Sequence, residues 1–145
     1  MARLEVEWRR NIDLIRWCYK YIKELVTTRR LPDWQLIRCD RSYIQKRLYL
    51  ALKKEGYKVK AEYETCGYQV DLVIKKYRIA IETDGAAYHS SDYQKKLDRK
   101  KTAVLRKHGW TVIRFTGKQV NSNVHACVEQ INQKSGIHLK WWQRI

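Results

Sequence analysis

Apolar positions along the chain change period twice, and the changes outline a fold. Between residues 4 and 28 they recur at helical spacing through Trp8, Ile12, Ile15, Tyr19, Ile22 and Leu25 or Val26, until Arg-Arg-Leu-Pro-Asp stops the run. One long amphipathic helix is expected there. A second should start at Ser42, a good N-cap, and end at Gly56, which suits the left-handed position after a helix, with Ile44, Leu48 and Leu52 buried. The period then drops to two. YKVKAEYE, YQVDLVIK and RIAIET read as three strands of an antiparallel meander. Helical spacing returns from Ser90 or Ser91 to Gly109 through Tyr93, Leu97, Val104 and His108. WTVIRF is a fourth strand and KQVNSNVHACVEQI a last helix. The expected class is α/β, with the late helix crossing over to bring in a parallel strand.

Charge changes this picture more than composition does. The 145 residues carry 31 Lys and Arg against 15 Asp and Glu, a formal net charge of +16. Such an excess implies a polyanionic partner. No apolar run approaches a membrane span, the N-terminus carries charges where a signal peptide is apolar, and the chain reads as cytoplasmic. Cys18, Cys39, Cys66 and Cys127 are scattered without metal-ligand spacing and read as ordinary thiols.

The excess is uneven along the chain. Residues 41–60 hold seven basic residues against one acid and residues 92–118 nine against two, while residues 61–91 hold three against five. Carboxylates repel phosphate unless a divalent cation lies between them, a requirement of metal-dependent phosphodiesterases. A two-residue turn at Lys76-Tyr77 would set Asp71 opposite Glu82, with Cβ atoms about 5 Å apart, and Asp84 would extend the same face. Acids in apolar strand runs are costly unless something binds them, and hard oxygen ligands suit Mg²⁺. A salt bridge from Glu82 to a basic helix is the alternative use of that side chain.

VDLVI, IETDGAAYH and LDRKKTAVLRKHGWTVIRF resemble the PD-(D/E)XK nuclease superfamily, in particular its very-short-patch-repair-like branch and the related EDxHD homing endonucleases, over about residues 42–132. The resemblance implies a restriction-endonuclease-like core: helix, three-stranded antiparallel meander, helix, parallel strand, helix. Here that core follows an extra N-terminal helix. It implies Asp71 as the central metal aspartate, with Glu82 and the Thr83 carbonyl near the same ion. Asp84 stands where the repair enzymes have a histidine, His89 matches their second histidine, and Asp98 and Arg99 match the D-x-x-R-like positions. The superfamily's E-x-K lysine is replaced by Asp84, and Gln45 stands where relatives often have a helix glutamate.

The expected function is a Mg²⁺-dependent endodeoxyribonuclease, with Mn²⁺ able to substitute, that cuts double-stranded DNA. Asp71, Glu82, Asp84 and His89 are the candidate catalytic residues. Lys46, Arg47, Lys95, Lys96, Arg99, Lys100 and Lys101 are the candidate phosphate contacts. The organisation expected is a helical extension over residues 1–40, a nuclease-like core over 41–135 and a packed tail over 136–145, with a homodimer or larger nucleoprotein complex possible. Trp8, Trp17 and Trp141-Trp142 read as packing residues. Two rivals remain: a nuclease fold that has lost activity and only binds nucleic acid, for which Gln45 is the main sign, and an RNA-directed nuclease.

Overall fold

A computed structural model describes residues 15–16, 18–23, 25–27, 33–39, 42–84 and 92–136. Trp8, Ile12, Trp17, His89, Ser90, Ser91, Trp141 and Trp142 lie outside the described residues, as do residues 137–145 of the expected tail. Contacts divide the chain into two units, Met1–Ile37 and Arg38–Ile145.

In the first unit the described residues between 15 and 27 are helical, as expected, and Ile15, Tyr19, Ile22, Leu25 and Val26 of the apolar stripe are exposed. The aromatic that does pack is Tyr21, stacked on Trp34 with ring centroids 4.6 Å apart. A short helix not anticipated from the pattern, α1 (Trp34–Arg38), starts where the Asp33 carboxylate accepts from the Gln35 amide.

The second unit begins with α2 (Tyr43–Lys54), capped by Ser42 Oγ accepting from the Gln45 amide and closed by Gly56 at φ +87°. It buries Gln45, Leu48, Tyr49 and Leu52. Strands β1 (Lys60–Thr65), β2 (Tyr68–Ile74) and β3 (Ile79–Asp84) form the antiparallel meander. Helix α3 (Asp92–Lys107) then carries the chain across to β4 (Thr111–Thr116), which pairs in parallel with β3. The sheet order is β1-β2-β3-β4, so β4 is an edge strand of the described sheet. Among the described residues no helix is long and apolar enough to cross a membrane.

Three expectations are corrected. The turn before β3 is not two residues: a 3₁₀ turn at Lys75–Tyr77 and a left-handed Arg78 link the strands. Its four residues are centred on the expected turn, so the register is the expected one, with Leu72 opposite Ile81 and Ile74 opposite Ile79. The last helix is two, α4 (Gly117–Ser122) and α5 (Val124–Ser135), because Asn123 leaves helical geometry and caps α5 by accepting from the Ala126 amide. On α3, Tyr93 is 71% exposed and Leu97 and His108 are also exposed; the fully buried residue is Leu105. It packs with Val70, Val73, Ala80 and Trp110 on one sheet face. Alternate residues Ile79, Ile81, Ile113 and Phe115 are buried on the other.

Candidate active site

The sheet forks where the acids sit. Strand β2 pairs with β3 from Ile74 back to Leu72, then continues along β1 alone through Val70 and Tyr68. Strand β3 continues along β4 alone, with Glu82 beside Arg114, Thr83 beside Phe115 and Asp84 beside Thr116. Asp71 and Glu82 are the first residues past the shared ladder, one on each branch. The fork is held by the acid itself: Asp71 Oδ2 accepts from the Thr83 amide at 2.7 Å and from Thr83 Oγ1 at 2.8 Å. Thr83 therefore orients Asp71 as a donor through its amide and hydroxyl, groups separate from the carbonyl that the resemblance implies near the ion. Among the described residues both bonds to this carboxylate fall on Oδ2.

A second irregularity lies on the other side of Asp71. The β1–β2 pairing skips Glu62 and Asp71, and Glu62 has φ +48°, a strained value for a residue with a side chain. Helix α2 fills the missing rung. Gln45, 4% exposed, donates from Nε2 to the Asp71 carbonyl and to Glu62 Oε1, both at 2.8 Å. Gln69 donates to the other Glu62 oxygen. Gln45 is thus a positioning residue whose amide is required by its partners, and Glu62 is a residue of the site that sequence reasoning counted only as one of the acids.

This geometry makes an apparent restoration harmful. Gln45→Glu, which would return the helix acid of the superfamily pattern, removes the donor to a half-buried carbonyl and sets two carboxylates together. It should lower stability by about 2–4 kcal/mol in urea titrations without metal. Adding Glu62→Gln should recover the repulsive part of that loss. A Gln45→Glu protein as stable as wild type would show that the amide bonds carry no weight.

Glu82 is 8% exposed and meets Lys101 from α3, whose side chain is 17% exposed. Lys101 Nζ donates to Oε2 at 2.9 Å and lies 2.8 Å from Oε1. The second contact is an ion pair without hydrogen-bond geometry: Oε1 is fully buried and accepts no hydrogen bond. Burial pushes the Glu82 carboxyl above its ordinary value; the Lys101 hydrogen bond pulls it down, the nearby Asp71 charge pushes it up, and the charges of Lys101 and Arg114 pull it down. Lys101, expected as a phosphate contact, is instead the counter-ion of the site. Asp98 lies 3.7 Å from Arg114 of β4, and with Arg99 it lines an open cleft on α3. Lys95, Lys96 and Lys100 are exposed; Lys46 and Arg47 are half-buried.

Asp84 ends β3, half-buried, with its carbonyl against Gly117. His89 lies outside the described residues. Among the described residues no three His, Cys, Asp or Glu side chains converge as a metal cluster, so what the fold assembles is a pair, Asp71 with Glu82.

The core sequence matches the family model REase_MTES_1575 over residues 44–134. An uncharacterized Haemophilus influenzae protein is 31% identical, with 67% of this chain and 82% of the relative aligned. The type II nicking enzyme V.NmeDIP of Neisseria meningitidis is 26% identical over 43% of this chain and 56% of its own length. The uncharacterized YcjD of Escherichia coli is 27% identical over 54% and 64%. The catalytic domain of the homing endonuclease I-Bth0305I shares the fold at a TM-score of 0.56 and 20% identity, covering 67% of this chain and 97% of that domain.

Proposed function

Because this chain belongs to the REase_MTES_1575 restriction-endonuclease family, we propose that it is a divalent-metal-dependent endonuclease acting on double-stranded DNA. One observation carries the reading: two carboxylates, Asp71 and Glu82, stand next to each other where the sheet forks, close enough that the Asp71 charge raises the Glu82 pKa. Two like charges held together at half-buried and buried positions are unfavourable unless cations lie beside them. Asp71 and Glu82 would hold Mg²⁺, or Mn²⁺ in its place, since both supply the hard oxygens these ions take. When bound, the ion supplies an activated water and a positive charge for the phosphate oxygens.

The other residues prepare that pair. Thr83 fixes the Asp71 carboxylate through two donors to one of its oxygens, and the other would be available to hold the ion. Gln45 holds the backbone of Asp71 where the ladder is broken. The hydrogen bond and charge of Lys101 pull the Glu82 carboxyl down against the upward push of burial. The exposed basic residues of α3, Lys95, Lys96, Arg99 and Lys100, take phosphates beside the acids. The same reading puts the chain in the cytoplasm with its substrate.

The test is nicking of supercoiled plasmid, with a structured RNA assayed in parallel. Wild type should nick the plasmid in Mg²⁺ or Mn²⁺, do nothing in EDTA, and spare the RNA. Duplex binding without cutting in either ion would overturn the enzyme reading in favour of a binding subunit. Cleavage of the RNA alone would reassign the substrate.

A further inference from the structure

Two adjoining clefts run along the open edge of the sheet. One, of about 580 Å³, lies between α3 and β4; the other, of about 590 Å³, lies between β4 and the ends of α3 and α5. They share Arg106 and Arg114 and so form one trough. Its charged lining among the described residues is Lys95, Arg99, Arg106, Arg114 and Lys134, against the single acid Asp98.

We propose that this α3–β4 trough is the track for one DNA backbone strand, with Arg114 as the clamp for the phosphate next to the acidic pair. The proposal rests on the DNA reading above and adds the path the strand takes. Three observations support it. Lys95, Arg99 and Arg106 lie four and seven residues apart, on one side of the helix, and span about 16 Å. That length matches about five nucleotides at 3.4 Å each. Arg114 is the register partner of Glu82 on the neighbouring strand, about 4.8 Å away, so the trough begins at the site. Finally, Arg114 is loosely held. Its contacts are 3.7 Å to Asp98 Oδ2, 3.5 Å to the Asp98 carbonyl and 3.4 Å to Thr102 Oγ1, and all are long enough to exchange for a phosphate. Arg106, Arg114 and Lys134 were not among the contacts expected from sequence.

The experiment is the salt dependence of duplex binding by fluorescence anisotropy, in Ca²⁺ to prevent cutting. Arg99→Gln/Arg106→Gln changes exposed side chains and should fold as wild type. Its slope of log K against log salt should be shallower by about 1.8, or 0.9 for each lost phosphate contact. Lys54→Gln/Lys58→Gln, which removes the same charge at the end of α2, should leave the slope unchanged. Equal loss in both variants, or no loss in the first while Lys46→Gln/Arg47→Gln loses it, would overturn the track with the nuclease reading intact. Absence of duplex binding by wild type at any salt would overturn both. Poly-glutamate binding as tight as the duplex and lost in the same variant would make the trough a dock for an acidic protein and overturn the DNA assignment.

Discussion

Asp71→Asn should lower plasmid nicking by about 10³-fold in Mg²⁺ or Mn²⁺ while duplex binding stays within about twofold of wild type. A thousandfold loss corresponds to roughly 4 kcal/mol of transition-state stabilisation, in the range one metal-holding carboxylate contributes. The substitution isolates the charge. Asn offers a carbonyl oxygen where Asp71 Oδ2 accepts from the Thr83 amide and hydroxyl, so the fork should keep its shape. Calorimetric titration with Mn²⁺ provides a second readout: wild type should bind the ion without DNA, and the variant should bind it at least tenfold more weakly. Retention of nicking and Mn²⁺ affinity by Asp71→Asn would move the metal elsewhere. Loss of nicking with unchanged Mn²⁺ binding would give Asp71 a role other than holding the ion.

Lys101→Met should destabilise the fold by about 3 kcal/mol near neutral pH, because it removes the cation that contacts buried Glu82. The sign of its pH dependence follows from burial. The folded Glu82 pKa is raised, so this group favours the folded state most below the ordinary glutamate value of 4.5, and that contribution is lost as pH rises through the folded value. Removing Lys101 raises the folded value further and extends the loss to higher pH. Urea titrations should therefore show the gap from wild type widest near neutrality and shrinking as pH falls well below the ordinary glutamate value of 4.5, where Glu82 becomes neutral whether folded or not. Adding Glu82→Gln to Lys101→Met should recover most of the neutral-pH loss, since the uncompensated charge is gone. A gap independent of pH would mean that Lys101 acts by packing alone.

Both predictions concern residues that carried different weight before the fold was known. Asp71 and Glu82 were legible because a strand has a period of two and a hairpin a single register: once the turn is centred between Lys76 and Tyr77, the pairing follows whether the loop has two residues or four. The element order was legible for the same reason, since each change of period marks a change of structure. Lys101 was misread as one more surface cation. A signal for it existed in Leu105, four residues on, which shares its side of α3 and is fully buried.

The chain's own pattern thus determined the αβββαβ order, the register that brings Asp71 and Glu82 together, and the basic flanks around an acidic middle. Only the tertiary structure decided which cation answers Glu82, why position 45 holds an amide, and where the basic residues of α3 meet Arg114 and Lys134. The physical reason is that local hydrogen bonding and side-chain alternation set a strand's faces. The rotation of a helix over a sheet and the gaps left in a ladder depend instead on packing between residues far apart in the chain. Gln45 shows this directly: its amide answers a broken rung between Glu62 and Asp71, seventeen and twenty-six residues away.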